Sequence, residues 1–209
     1  MIVLAVVNLK GGTGKTTTAA FVAHALHEQS RRVLVVDADP QGSAQRWSEY
    51  AGGWPVSVVG MPTKTLHRQL PGVVGDRFDV VVIDTPPLEE QRGVVMSALQ
   101  AATDVLVPVA PTPIECERMA AVRDAVDAAA DLRPSGQPPR MAVLLTRTVA
   151  GAASTQVWRE LLTEAGDRVL KVNVGRLERF SQAYGDPIVN ASATAYGDAV
   201  TELLSGVRA

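Results

Sequence analysis

The sequence contains a single cysteine, Cys116, in 209 residues. That count excludes a disulfide scaffold, points to a reducing compartment and leaves no Cys-built zinc or iron–sulfur site within one chain. No apolar run reaches the ~18 residues of a membrane span. Met1–Val7 has neither a basic stretch before it nor a cleavage site after it, so it reads as a first strand rather than a signal peptide. His24, His27 and His67 make no metal-ligand spacing with one another or with Cys116, and the first two fall on a helix, where packing or solvent exposure explains them. Trp47, Trp54 and Trp158 are dispersed and read as packing residues. Neither sign of charge dominates, with 20 Lys+Arg against 22 Asp+Glu, and 46% of the residues are apolar. Intrinsic disorder is therefore excluded, and a soluble, cytoplasmic protein with one domain over 1–209 is expected.

The charge is unevenly spread. Residues 140–180 hold seven bases against four acids. An acidic protein with a basic late segment can bind a polyanion locally.

Short β-branched runs alternate with helical stretches. Strands are expected at Ile2–Val7, Arg32–Asp37, Val56–Val59, Val80–Asp84, Val105–Val109 and Met141–Thr146, with a weaker one at Val169–Val172. Helices are expected at Lys15–Gln29, Gly42–Tyr50, Glu90–Ala101, Glu115–Asp131 and Ala153–Ala165. Several strands are apolar at nearly every position, as strands covered on both faces must be. The alternation implies an α/β fold, with a doubly wound, mostly parallel sheet flanked by helices on both faces.

Between the first strand and the first helix runs Lys10-Gly11-Gly12-Thr13-Gly14-Lys15-Thr16-Thr17. The glycines let the backbone wrap closely, so that successive N–H groups point at phosphate oxygens. The helix N-terminus adds its dipole, Lys15 can reach terminal phosphates, and the Thr16 hydroxyl is placed for Mg²⁺. Two strands end in carboxylates, at Asp37-Ala38-Asp39-Pro40 and at Asp84-Thr85-Pro86-Pro87. Such ends face the crevice where α/β proteins bind ligands, and Asp84 can hold Mg²⁺ through water. An Asp-Pro turn capping the helix that begins near Gly42 is the alternative for Asp37 and Asp39.

The loop departs from the simple P-loop pattern, with Leu9 where a glycine is wanted and a lysine next to it. It resembles the deviant Walker A motif of the ParA/MinD ATPase group, a P-loop NTPase fold. The resemblance covers most of the chain and is to short ParA proteins, which lack a preceding helix-turn-helix domain. It implies ATP and Mg²⁺ as cofactors and an ATP-bound homodimer in which Lys10 contacts the partner's nucleotide. Asp37 would support the Mg²⁺ network, and Asp39 would orient the attacking water. Pro108–Pro113 resembles the proline-rich segment at the dimer interface, placing Pro111 near the nucleotide, and Pro113 equally suits the first turn of the helix that follows. Arg176–Tyr184 resembles the late region with DNA-contacting bases, making Arg147, Arg176 and Arg179 candidates for non-specific DNA binding. The implied function is slow ATP hydrolysis that segregates plasmid or chromosomal DNA with a centromere-binding, ParB-like partner, the ATP form being nucleoid-associated. Positioning of another cargo fits the same residues.

Sister families are separated by what they require. MinD-like members end in a basic amphipathic helix, whereas Ala195–Ala209 has one base, Arg208. Cluster carriers need more cysteine. Biotin-pathway synthetases share the general loop, so an ATP-dependent small-molecule ligase is the alternative from another class.

Overall fold

The computed structural model describes residues 1–205. Seven strands form one parallel sheet: β1 (Ile2–Val6), β2 (Val33–Asp37), β3 (Ser57–Gly60), β4 (Val80–Asp84), β5 (Asp104–Val109), β6 (Arg140–Thr148) and β7 (Val169–Gly175). Their order is β3-β2-β4-β1-β5-β6-β7, and every pairing is parallel. This is the expected doubly wound sheet.

Strands β1, β2 and β4 are short and almost wholly Val, Ile, Leu and Ala. Their side chains alternate between two separate cores. Val3, Ala5 and Ile83 pack with α3 (Leu66–Val74), α4 (Arg92–Ala101), α6 (Met119–Ala130) and α7 (Ala153–Glu164) on one face. Leu4, Val6 and Val82 pack with α1 (Lys15–Glu28), α2 (Ser43–Tyr50) and α9 (Ala195–Ser205) on the other. Burial on both faces makes the strands read as continuous apolar runs.

The structure differs from the sequence expectations at several points. Helix α3 was not expected, because Pro71 interrupts its pattern, yet Leu66, Leu70 and Val74 form a buried stripe at helical spacing. The stretch expected as one helix from Glu115 to Asp131 starts earlier, at α5 (Pro113–Glu117), and is interrupted at Arg118 before α6 begins. A short α8 (Glu178–Ser181) follows β7. Helix α9 is described as far as Ser205, and Arg208 lies outside the described residues.

The tryptophans are not all dispersed. The buried Trp47 ring lies 5.7 Å from Trp54 and 5.6 Å from Tyr184, and its Nε1 donates to the Asp186 carbonyl at 2.9 Å. His24 belongs to the same packing, 5.0 Å from Trp54, with Nδ1 2.8 Å from the Ala20 carbonyl. Cys116 is buried, and burial pushes its thiol up to about 11. At the sheet edge, β7 slips register against β6 between Val169 and Asn173. There the Glu202 carboxylate of α9 accepts the amides of Lys171 and Val172 at 2.7 and 3.1 Å.

Among the described residues no helix is long and apolar enough to cross a membrane.

Candidate nucleotide site

The sheet reverses its direction of winding at β1, which lies between β4 and β5. The crevice beyond strand C-termini at such a point is where ligands bind in open α/β sheets. The chain places four segments there: the loop after β1, Asp37–Asp39 after β2, Asp84–Pro87 after β4, and Ala110–Thr112 after β5.

The loop turns on two glycines. Gly12 has φ 70° and Gly14 φ 87°, the latter capping α1 in the left-handed region. A side chain at either position would be strained although space is open around both. The Thr13 hydroxyl donates to the Lys10 carbonyl at 3.3 Å, bracing the curve. Lys15, the first residue of α1, is buried, and its ammonium donates to the same carbonyl at 2.8 Å. Burial pulls its pKa down, while Asp84 and Asp39 draw it back up. The cation is thus held under the loop, with most of its hydration removed.

Two clefts flank the loop. The larger, about 540 Å³, runs between Gly12, Gly14 and Thr17 on one side and Arg147, Arg176 and Tyr196 on the other. Its volume suits a small-molecule ligand. The smaller, about 270 Å³, lies between Gly11, Asp39 and Gln41 on one side and Pro86, Pro87 and Glu90 on the other. Lys10, next to Gly11 of this cleft, has a partly exposed side chain whose ammonium forms an ion pair with Glu89.

The carboxylates divide into two environments. Asp37 is buried, and its oxygens accept the amides of Asp39 at 3.2 Å and Gln45 at 3.0 Å. It therefore anchors the start of α2, the capping role that the sequence left open beside metal support. Asp39 accepts only the Gln41 amide, at 2.9 Å, from a more open position. Asp84 lies opposite Asp37 in register, is wholly buried, and neither oxygen has a hydrogen-bond partner. Burial, and then the neighbouring Asp37, push Asp84 up to about 7, against the pull of Thr16 and Lys15.

An orphaned, desolvated carboxylate beside the Thr16 hydroxyl fits a hard divalent cation. Among the described residues no three His, Cys, Asp or Glu side chains gather into a metal cage. Mg²⁺ does not require one, because it is commonly held by one or two carboxylates together with phosphates and water.

The remaining expected residues are placed as follows. Pro111 is buried and does not line the large cleft, whereas its neighbours Ala110 and Thr112 do. Arg147 and Arg176, candidates for a DNA face, are exposed and line the cleft, and Arg147 Nη1 donates to the Gly12 carbonyl at 3.2 Å. β6 carries Arg147 to its C-terminal end with φ 55°, which turns the side chain over the loop. Arg179 is exposed, with its guanidinium 4.7 Å from the Phe180 ring centroid. Sequence reasoning missed Thr146 and Glu115, each of which lines the cleft with a buried oxygen that has no partner. Position at the end of a strand, or just after the proline segment, was the available signal.

Comparison with known proteins agrees with this geometry. A model of the CobQ/CobB/MinD/ParA nucleotide binding domain matches residues 4–188. The chain is 41% identical over 147 residues to a Gloeobacter kilaueensis protein named "Maintenance of carboxysome distribution protein A", over 69% of this chain and 62% of that protein. It is 28% identical over 229 residues to "Chromosome-partitioning ATPase Soj" of Thermus thermophilus, over 93% of this chain and 90% of that protein. The structure also resembles cobyrinic acid a,c-diamide synthase from Mycobacterium smegmatis solved with ADP and magnesium. That match has a TM-score of 0.74 and 25% identity, covering 100% of this chain and 96% of the other. With the loop, the paired carboxylates and the sheet in agreement, the chain belongs to the CobQ/CobB/MinD/ParA nucleotide-binding domain family as a ParA-like ATPase.

Proposed function

We propose that this protein hydrolyses ATP as a nucleotide-dependent dimer and uses the cycle to position a cargo on DNA. The observation that supports this most directly is the pair of lysines on one loop. Lys15 is buried where phosphates would lie, while Lys10, on the rim of the loop, is partly exposed. A single-protomer site has work for the first and none for the second. A rim cation reaching a partner's nucleotide would stabilise charge on the transferring phosphoryl group, as a trans arginine does.

The other roles follow from placement. Amides from Gly11 to Thr17 would cradle the phosphates. Thr16 and Asp84 would hold Mg²⁺, which when bound offsets phosphate charge. Asp39, which is less committed to the fold than Asp37, would orient the attacking water. Arg147, Thr146 and Glu115 would bound the nucleoside. Arg179, exposed and away from the large cleft, would contact DNA, and nucleoid association of the ATP form would follow from such contacts.

The cargo is read from relatives. The chain is 41% identical over 147 residues to a carboxysome-distribution protein and 28% identical over 229 residues to a partition ATPase, which supports a protein assembly as cargo at least as well as a DNA locus. An adaptor protein on the cargo would stimulate hydrolysis, whether or not it is ParB-like. A second reading, an ATP-dependent ligase acting on a small acid, is supported by the similarity to the diamide synthase.

Two variants test the proposal. Lys15→Ala should lose nucleotide binding. Lys10→Ala should keep binding, lose the dimer in sedimentation and lose ~10³-fold or more in turnover. Normal turnover by Lys10→Ala would reject the dimer mechanism and raise the ligase, which product formation from an acid substrate would then reveal.

A further inference from the structure

Lys10 does not project freely from the loop. Its ammonium forms an ion pair with Glu89, at a place where both side chains are partly exposed. Glu89 belongs to the segment that follows Asp84-Thr85-Pro86-Pro87, and that segment is tied to the start of the loop by its backbone. The Leu88 amide donates to the Asn8 carbonyl at 3.1 Å, and the Glu89 amide donates to the Leu9 carbonyl at 3.2 Å. Thr85 Oγ1 donates to the Val6 carbonyl at 2.7 Å. These bonds hold residues 85–89 against residues 6–9 beyond the end of the β1–β4 pairing, and the turn at Leu88–Glu90 delivers Glu89 to Lys10. On the other side, the Lys10 carbonyl takes both the Lys15 ammonium and the Thr13 hydroxyl.

We infer that Glu89 is a positioning residue that holds Lys10 folded back on its own protomer, so that dimer assembly must first break the Lys10–Glu89 pair. This rests on the proposed trans role of Lys10. The ammonium has three donors, but its single stem puts them at one place, so a lysine that reaches a nucleotide in the partner carries its tip away from Glu89. Phosphates loosen the arrangement from within. A phosphate oxygen competes with the Lys10 carbonyl for Lys15, which removes one of the two donors fixing residue 10. A phosphate that draws on the 85–88 segment also moves the turn bearing Glu89, since three hydrogen bonds join residues 85–89 to β1 and the residues after it. Nucleotide occupancy and release of Lys10 are coupled through the same few residues.

The strength of the pair sets the size of the effect. A partly exposed ion pair shifts an equilibrium by ~2–5-fold, and a symmetric dimer breaks two. Glu89→Gln, which keeps shape and removes charge, should therefore tighten the ATP-dependent dimer ~4–25-fold while ATP affinity of the monomer stays within ~2-fold. The device biases the step and does not block it, as suits a protein that must still assemble when ATP is present.

Sedimentation equilibrium with a slowly hydrolysed ATP analogue and Mg²⁺, run on wild type, Glu89→Gln, Glu89→Asp and Lys10→Ala, tests the inference. Glu89→Gln should give a lower dimer dissociation constant, with the advantage shrinking as salt is raised, because salt screens the wild-type pair. Glu89→Asp should fall between the two. A thermal melt of Glu89→Gln near the wild-type value excludes a merely structural explanation. A dimer no tighter, or weaker, in Glu89→Gln overturns the inference, and a weaker one means that Glu89 acts within the dimer. Lys10→Ala separates the two failures. If it dimerises and turns over like wild type, the trans role of Lys10 fails; if it does not, and Glu89→Gln is unchanged, only the positioning role of Glu89 fails.

Discussion

Replacing Asp84 by asparagine should stabilise the protein without metal or nucleotide while weakening its hold on both. Burial and the nearby Asp37 raise the Asp84 carboxyl to about 7, some three units above the ordinary value, worth at most ~4 kcal/mol. The unfolded chain ionises this carboxyl near pH 4, before the folded one does. Stability from this group is therefore full below about pH 4 and is lost as pH rises to about 7. Asparagine carries no charge to desolvate, but it leaves a buried amide unpaired at a cost of ~1–3 kcal/mol, and it removes a partner of Lys15. The net gain at pH 8 is ~1–3 kcal/mol, or about 2–10 °C in melting temperature for a chain of this size. Thermal melts in EDTA at pH 5 and pH 8 would measure it, and a second set with Mg²⁺ and ATP should favour the wild type, because bound ligand stabilises by mass action. A variant that melts below wild type at pH 8 in EDTA, or whose advantage is the same at both pH values, would refute the reasoning.

Other outcomes follow from the same geometry. Asp39→Ala should bind ATP and accumulate as a dimer that does not turn over; its single contact, to Gln41, makes a melt within a few degrees of wild type the expected control. Cys116 should resist alkylation at pH 8, since its thiol ionises near 11, and mass spectrometry after iodoacetamide would show an unmodified native protein. Arg179→Glu should leave ATP binding intact while lowering affinity for random duplex and flattening its salt dependence, which changes by about 0.9 in log–log slope per phosphate contact; fluorescence anisotropy across a salt series reads both.

Much of the site was legible because its chemistry is local. Glycines that must take positive φ, a lysine at a helix start and carboxylates ending apolar strands are all set by neighbours in the chain, and the structure places them as the sequence implies. What was hidden depends on partners far apart in sequence. Asp37 is a helix anchor because Gln45 folds onto it, and Trp47 meets Tyr184 across 137 positions of chain. Arg147, at the end of a strand, could be read as facing the nucleotide, but Arg176 looks like a surface base in a basic segment, and only its place just after β7 beside the loop shows that it borders the cleft. Helix α3 was obscured by Pro71, whose local cost is offset by burial of Leu66, Leu70 and Val74.

The carboxylate of Glu202 has a consequence beyond its two hydrogen bonds. Strand β7 is an outer strand, and a register slip there leaves backbone donors that a strand from another molecule could take. Glu202 occupies the amides of Lys171 and Val172 with a charged group, which an incoming strand would have to displace and leave without a partner. The last described helix thereby guards the sheet against growing into its neighbours. A protein whose proposed work is to gather reversibly at high local density needs that guard: its encounters with other copies must end at the nucleotide face and dissolve on hydrolysis, rather than continue edge to edge into an aggregate.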